Sequence, residues 1–138
     1  MATGHRASGR SETEDMQPLN VVLLQSDAGV AQSLVSALSH SFRSIQQVHS
    51  LGDLRTSIAK QRAGIAILDM ETASLSDVEH LAREFPGACI VCTHRCADEE
   101  MWAAGLNAGA VDVCPSSDTR GILRAALGSA SASHSAAA

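Results

Sequence analysis

The chain of 138 residues is poor in aromatic side chains and has no excess of positive charge. It contains no tyrosine, two phenylalanines and one tryptophan, so it has little to stack on nucleic-acid bases. A net charge of −5 gives no basic surface for a phosphate backbone, and we therefore predict no nucleic-acid partner. No apolar run approaches the roughly 20 residues that cross a bilayer. Neither a membrane span nor an export signal is evident, which favours a cytoplasmic location.

Length and composition predict one globular domain between two tails. Residues 1–18 are polar without periodicity, residues 128–138 are a Ser/Ala segment, and both are predicted to be disordered. Between them, residues 19–127 alternate short apolar runs with segments of helical spacing. The runs are Val21–Gln25, Ser44–Val48, Ile65–Asp69, Cys89–Thr93 and Ala110–Cys114. This alternation predicts a parallel sheet with helices on both faces.

Local signals predict where the helices begin and end. Ser76 and Glu79 have the spacing of a capping box at the start of the third helix. Ser26 or Asp27 can cap the first helix, and Gly109 ends the fourth. Ligands of such folds bind outside the carboxyl ends of the strands, so the residues there are the candidates for function. No glycine-rich phosphate loop follows the first strand, and nucleotide binding is not predicted.

The strand ends of residues 19–127 resemble the receiver domain of bacterial two-component response regulators. Asp69 closes the third strand, Thr93 closes the fourth, and Ala108–Asp112 leads into the fifth. The resemblance implies a flavodoxin-like α/β fold, a doubly wound five-stranded parallel sheet of order 2-1-3-4-5 with five helices. It further implies that Asp69 is the phosphoacceptor position for a histidine kinase. Thr93 is then the switch position that contacts the phosphoryl group.

The chain departs from this family where phosphoryl chemistry needs charge. Gln25 and Ser26 stand in the positions of an acidic pair that helps to hold Mg²⁺. Ser116 stands where the family has a lysine, and the only lysine is Lys60 in the second helix. We therefore expect slow or absent phosphotransfer and no cofactor beyond weakly bound Mg²⁺. The oxygen ligands left for that ion are the carboxylates of Asp27 and Asp69 and the backbone carbonyl of Glu71.

Both aspartates also have purely structural interpretations. Asp69 can cap the turn that follows its strand, and Asp27 can cap the first helix. A switch role for Thr93 depends on modification of Asp69, because a β-branched residue at a strand end is otherwise unremarkable.

The four cysteines support a competing hypothesis of redox or metal sensing. Cys89 and Cys92 lie three residues apart on a predicted strand and point to opposite faces, which disfavours a shared zinc or iron–sulfur site. Cys96 and Cys114 lie near the ends of strands that should be neighbours. A reversible disulfide between these two is the alternative to four buried or inert thiols.

Trp102 and Leu106 lie one turn apart on the fourth helix, and Val113 lies on the fifth strand. The resemblance implies that they fall on the face of the fourth helix, fifth strand and fifth helix, through which receivers contact a protein partner or a second copy. A tryptophan there is a plausible interface anchor, and burial in the core is the alternative.

The leading expectation from the sequence is a non-enzymatic, stand-alone, degenerate receiver domain that acts in signalling by protein contact, without phosphorylation. The second hypothesis is a working single-domain response regulator that a histidine kinase phosphorylates on Asp69. The third, from another class, is a cysteine-based redox or metal sensor.

Overall fold

The computed structural model describes residues 17–137 of the chain, and side chains from 19 to 129. In this range five parallel strands form one sheet of order β2-β1-β3-β4-β5, as predicted. The strands are β1 Gln17–Leu24, β2 Phe42–Val48, β3 Ile65–Asp69, β4 Cys89–His94 and β5 Asp112–Pro115. The helices are α1 Ala28–Leu38, α2 Leu51–Gln61, α3 Leu75–Glu84, α4 Glu99–Ala108 and α5 Thr119–Ala137. None of the helices described is both long and apolar enough to cross a bilayer.

Alternating side chains of the central strands belong to two apolar clusters, one on each face of the sheet. Val22 and Leu24 pack with residues of α2 and α3, whereas Val21 and Leu23 pack with residues of α1 and α5. The period of two residues in a strand explains this division. Burial on both faces explains why the strands are nearly continuous in hydrophobic residues.

The strand register brings the polar strand ends together at one edge of the sheet. Leu24 pairs with Leu68, the residue before Asp69. Asp69 itself pairs with Thr93, and Thr93 pairs with Cys114 on β5. The residues that follow β1, β3 and β5 therefore surround a single point.

Hydrogen bonds at the helix ends confirm two predicted caps and correct a third. Asp27 accepts from the Val30 N–H at the start of α1, at 3.1 Å, and Gly109 ends α4 with a φ of 119°. The capping box of α3 is formed by Ser74 and Asp77, whereas Ser76 and Glu79 were predicted. The helix starts at Leu75. The side chain of Asp77, at the third helical position, accepts from the backbone N–H of the cap residue Ser74, as a glutamate at that position would.

The two chain ends of the described range also differ from the prediction. β1 begins at Gln17, so residues 17 and 18 belong to the sheet, while residues 1–16 lie outside the described residues. α5 continues to Ala137, which makes the Ser/Ala segment helical where a disordered tail was predicted from residue 128. Alanine is the best helix former, and a helix already anchored by the buried Ile122 and Ala126 extends at little cost.

Candidate functional site

A polar cleft of about 310 Å³ opens at the carboxyl ends of β1, β3 and β5. Seven of its lining residues are polar or charged: Gln25, Ser26, Asp27, Asp69, Glu71, Arg95 and Ser116. The loops that supply them begin where the parallel strands stop, so the fold itself gathers these side chains. The cleft is therefore the place to test the phosphoacceptor prediction.

Asp69 is almost completely buried and its carboxylate is held by donors of the same chain. Its Oδ2 atom accepts from the Ser26 N–H at 2.9 Å and from the Ser26 hydroxyl at 2.5 Å. Thr72 adds a longer hydroxyl contact of 3.4 Å to Oδ2. The Oδ1 atom accepts from the Glu71 N–H at 2.9 Å. The serine that replaces an acidic residue in the family thus donates two hydrogen bonds to the acceptor position.

These contacts keep Asp69 ionised. Burial raises the pKa of this carboxyl, and the hydrogen bonds from Ser26, Glu71 and Thr72 lower it. The donors together outweigh burial, so the pKa of Asp69 lies below its usual value near 3.8. A carboxylate stabilised in this way is anionic at neutral pH and is a weak base.

Gln25, which follows the end of β1, binds the side chain of Thr93. Its side-chain amide donates to the Thr93 hydroxyl at 2.7 Å, and both residues are buried. From the sequence, Gln25 was recognised only as a lost acid, and this contact was missed. An amide has both donors and an acceptor with which to bind a buried hydroxyl, but Thr93 lies on β4, two strands away from β1.

Ser116, at the lysine position of the resemblance, is 7% exposed and lines the cleft. Its N–H donates to the His94 carbonyl at 3.0 Å. Its hydroxyl oxygen, in contrast, is the one buried side-chain nitrogen or oxygen among the described residues with no hydrogen-bond partner. The nearest cation of the wall, Arg95, pairs through Nε with Glu71 at 2.9 Å.

The two carboxylates of the predicted Mg²⁺ site are each engaged elsewhere. Asp27 caps α1, and Asp69 is held by Ser26 and Glu71. In the part of the chain whose side chains are described, no three His, Cys, Asp or Glu side chains gather where they could share a metal ion. The residues of the cleft therefore do not fit the Mg²⁺ site that the resemblance implies.

None of the four cysteines forms a disulfide, so the structure does not pair Cys96 with Cys114. Cys96 is exposed, whereas Cys114 is buried. Burial raises the pKa of Cys114 to about 12, with further contributions from the carboxylate of Asp112. Burial likewise raises the pKa of Cys92 to about 12. Thiols with such pKa values carry almost no thiolate at neutral pH, which argues against reactivity at these two positions.

The predicted interface residues have different environments. Trp102 is 47% exposed, and its indole N–H donates to Asp112 Oδ1 at 3.0 Å. Leu106 is half-buried on the same helix. Val113 is only 6% exposed and belongs to the core, so its assignment to the interface is wrong. It faces Gly105, where an added Cβ would collide with it.

One exposed apolar neighbour was missed. Val111 lies just before β5 and is 43% exposed. Val111 was missed because the fifth strand was predicted to begin at Ala110. The strand begins at Asp112, which leaves Val111 outside it. We call Trp102, Leu106 and Val111 the Trp102 surface.

No family model and no curated protein matches this chain, whereas solved structures do. It is similar to a response regulator from Thermotoga maritima, with 16% identity over 83% of this chain and 98% of that chain and a TM-score of 0.75. A two-component response regulator of the LuxR family from an Aurantimonas species gives 12% identity, 83% and 86% coverage and a TM-score of 0.73. The RcsB response regulator of Salmonella typhimurium gives 16% identity, 82% and 59% coverage and a TM-score of 0.71. The chain therefore has the receiver-domain fold of response regulators, which confirms the predicted architecture.

Proposed function

We propose that this chain is a protein-interaction module on the receiver fold that works in signalling without phosphorylation of Asp69. The observation that carries the proposal is the hydrogen bonding of Asp69, whose two carboxylate oxygens accept three bonds of 2.5–2.9 Å from Ser26 and Glu71. An acceptor of a phosphoryl group needs a free oxygen lone pair in line with the donor. At this site much of that capacity is already used inside the protein.

The charge of the cleft supports the same proposal. An acyl-phosphate carries a charge near −2 and needs positive groups arranged around it. The wall offers three carboxylates and one guanidinium, and that guanidinium is paired with Glu71. A second anion on Asp69 would therefore be repelled by Asp27 and Glu71 without compensation.

The Trp102 surface is the contact region that we assign to this function. A half-exposed tryptophan whose polar end is already bonded offers a large apolar face at little conformational cost. Val111 and Leu106 extend the apolar area beside it. The partner is another protein or a second copy of this chain, which sedimentation velocity over a range of concentrations distinguishes.

Acetyl phosphate with Mg²⁺ tests the proposal. We expect no phosphoryl label on the full chain by intact-mass spectrometry at times when an active receiver domain is labelled. The matched control is the triple variant Gln25→Glu, Ser26→Asp and Ser116→Lys, which restores the charges that the resemblance implies and should gain Mg²⁺-dependent label. Label on Asp69 of the unaltered chain would overturn the proposal and favour the working regulator.

A further inference from the structure

The cleft beside Asp69 has the composition of a cation site. Its wall holds the carboxylates of Asp27, Asp69 and Glu71 and a single cation, the Arg95 guanidinium, so its formal charge is −2. Arg95 already pairs with Glu71. A concave wall of one sign concentrates counter-ions of the other sign. Acidic residues alone do not define a ligand, however, and the uncharged part of the wall must be considered.

Ser116 supplies an independent observation. Its side chain is more than nine-tenths buried, it lines the same cleft, and its hydroxyl has no partner. Buried polar atoms of native proteins are almost always hydrogen-bonded, because an unmade bond costs the full desolvation of the group. A hydroxyl left without a partner in the wall of an acidic cleft indicates a polar group that the chain itself does not supply, and the hydroxyl can accept from such a group.

The acceptors of the cleft distinguish between possible cations. Asp69 Oδ2 is filled by Ser26 and Thr72, whereas Oδ1 accepts one N–H from Glu71 and keeps one acceptor position. A guanidinium pairs best with a carboxylate when it binds both oxygens, and the single open position on Asp69 leaves it only a one-point contact. A divalent metal needs converging carboxylates, which are lacking among the described side chains. Quaternary ammonium groups bind aromatic faces, and no aromatic residue lines the cleft.

We propose that the cleft binds a primary ammonium group, which donates to Asp69 Oδ1 and to the Ser116 hydroxyl and is attracted by Asp27. An ammonium is a compact cation with three N–H donors, and it accepts a mixture of carboxylate and neutral oxygens. The group comes from a lysine side chain of a partner protein or from a free small amine. The inference goes beyond the proposed function, since it does not involve the Trp102 surface. It rests on that function only in requiring an unmodified Asp69.

An NMR titration of the full ¹⁵N-labelled chain at constant ionic strength tests the inference. The probes are Nα-acetyl-lysine methylamide and methylammonium chloride, and the comparison compounds are the Nε-acetyl-lysine, arginine and trimethyl-lysine analogues. We expect saturable shifts of the Ser26, Glu71 and Ser116 amides with a primary amine and none with the other three compounds. Shifts with the lysine compound indicate a side-chain source, and shifts with methylammonium alone indicate a free amine.

Three variants sharpen the titration. Ser116→Ala should weaken amine binding about fivefold, the range of one neutral hydrogen bond. Asp27→Asn keeps the helix cap, removes one charge and should weaken binding about threefold. Asp98→Asn is the matched control, because Asp98 caps α4 by accepting from the Met101 N–H at 2.8 Å and lies outside the cleft. It should leave binding unchanged.

Two results would overturn the inference: no saturable shift of the three amides with either primary amine, or equal binding of the arginine or trimethyl-lysine compound. Unchanged affinity in Ser116→Ala would also overturn it, since the orphan hydroxyl would then have no part in the site. These outcomes are separable from a failure of the proposed function. Phosphoryl label on Asp69 removes the proposed function, whereas absent amine binding with an unlabelled Asp69 removes only the ammonium site.

Discussion

The Asp69 cleft and the Trp102 surface differ in how much of their side chains is engaged in contacts within the chain. In the cleft, the buried Asp69 carboxylate accepts from Ser26 and Glu71, and Gln25 holds the Thr93 hydroxyl. On the surface, Trp102 uses its N–H for Asp112 but leaves nearly half of its area in solvent. The first region contributes to folding, whereas the second keeps its apolar area available for binding. Mutations should therefore change stability in one region and association in the other.

Asp69→Ala should have the largest effect on stability. It removes the acceptor of two N–H groups and two hydroxyls, and we expect the free energy of unfolding to fall by about 3 kcal/mol because donors in a partly buried site lose their partner. Urea unfolding followed by circular dichroism measures this change. The control is Glu79→Ala at an exposed position of α3, which should change stability by less than about 0.5 kcal/mol. An Asp69→Ala variant as stable as the unaltered chain would show that the carboxylate is not held as described.

The unfolding free energy at acid pH should depend on the ionisation of Asp69. The pKa of Asp69 is lower in the folded than in the unfolded chain, so ionised Asp69 stabilises the fold above its usual value near 3.8. This contribution is lost as the pH falls through the folded-state pKa. The difference in unfolding free energy between the unaltered chain and Asp69→Asn should stay constant from about pH 7 to about pH 5 and narrow below about pH 4. A difference that widens on acidification would mean that the pKa is raised instead.

Gln25→Ala should be the next largest effect, at about 2 kcal/mol, because it leaves a small cavity and an unpartnered Thr93 hydroxyl. A double-mutant cycle with Thr93→Val separates the hydrogen bond from the lost packing. We expect a coupling energy of about 1 kcal/mol between the two positions in urea unfolding. Strict additivity of the two single changes would contradict the bond between Gln25 and Thr93.

Trp102→Ala should have the smallest effect on stability, below about 1 kcal/mol, since the ring is half exposed and loses one surface hydrogen bond. Because this is the only tryptophan, unfolding must be followed by circular dichroism. Association measured by sedimentation velocity or partner binding should fall strongly in the same variant. Unchanged association would remove the Trp102 surface from the proposed function.

Much of the fold could be predicted from the sequence, because burial on both faces leaves a continuous apolar signature in each strand. The order of Asp69 and Thr93 at successive strand ends is enough to indicate the family resemblance. The C-terminal segment could not be read in the same way. Ser and Ala indicate no packing by themselves, but the helix that begins at Thr119 and is anchored by the buried Ile122 and Ala126 extends through them.

The site was harder to predict than the fold. A residue that differs from the family shows which charged group is lost, but it does not show which contacts the new side chain makes. Gln25 and Ser26 were recognised as missing acids, yet their hydrogen bonds to Thr93 and Asp69 depend on side-chain directions between strands. Val113 was assigned to the interface because the resemblance implied that the fifth strand belongs to the contact face, which does not say on which side of the sheet a given side chain lies. The side chain is in fact packed against Gly105.

The most direct test of the central claim, that donors of the chain itself occupy the Asp69 carboxylate, is a beryllofluoride titration with Mg²⁺ followed by amide NMR. Beryllofluoride mimics a phosphoryl group on an accessible carboxylate. We expect the Ser26, Glu71 and Thr93 amide resonances to stay in place at millimolar ligand. Saturable shifts of these resonances, lost in Asp69→Asn, would contradict it.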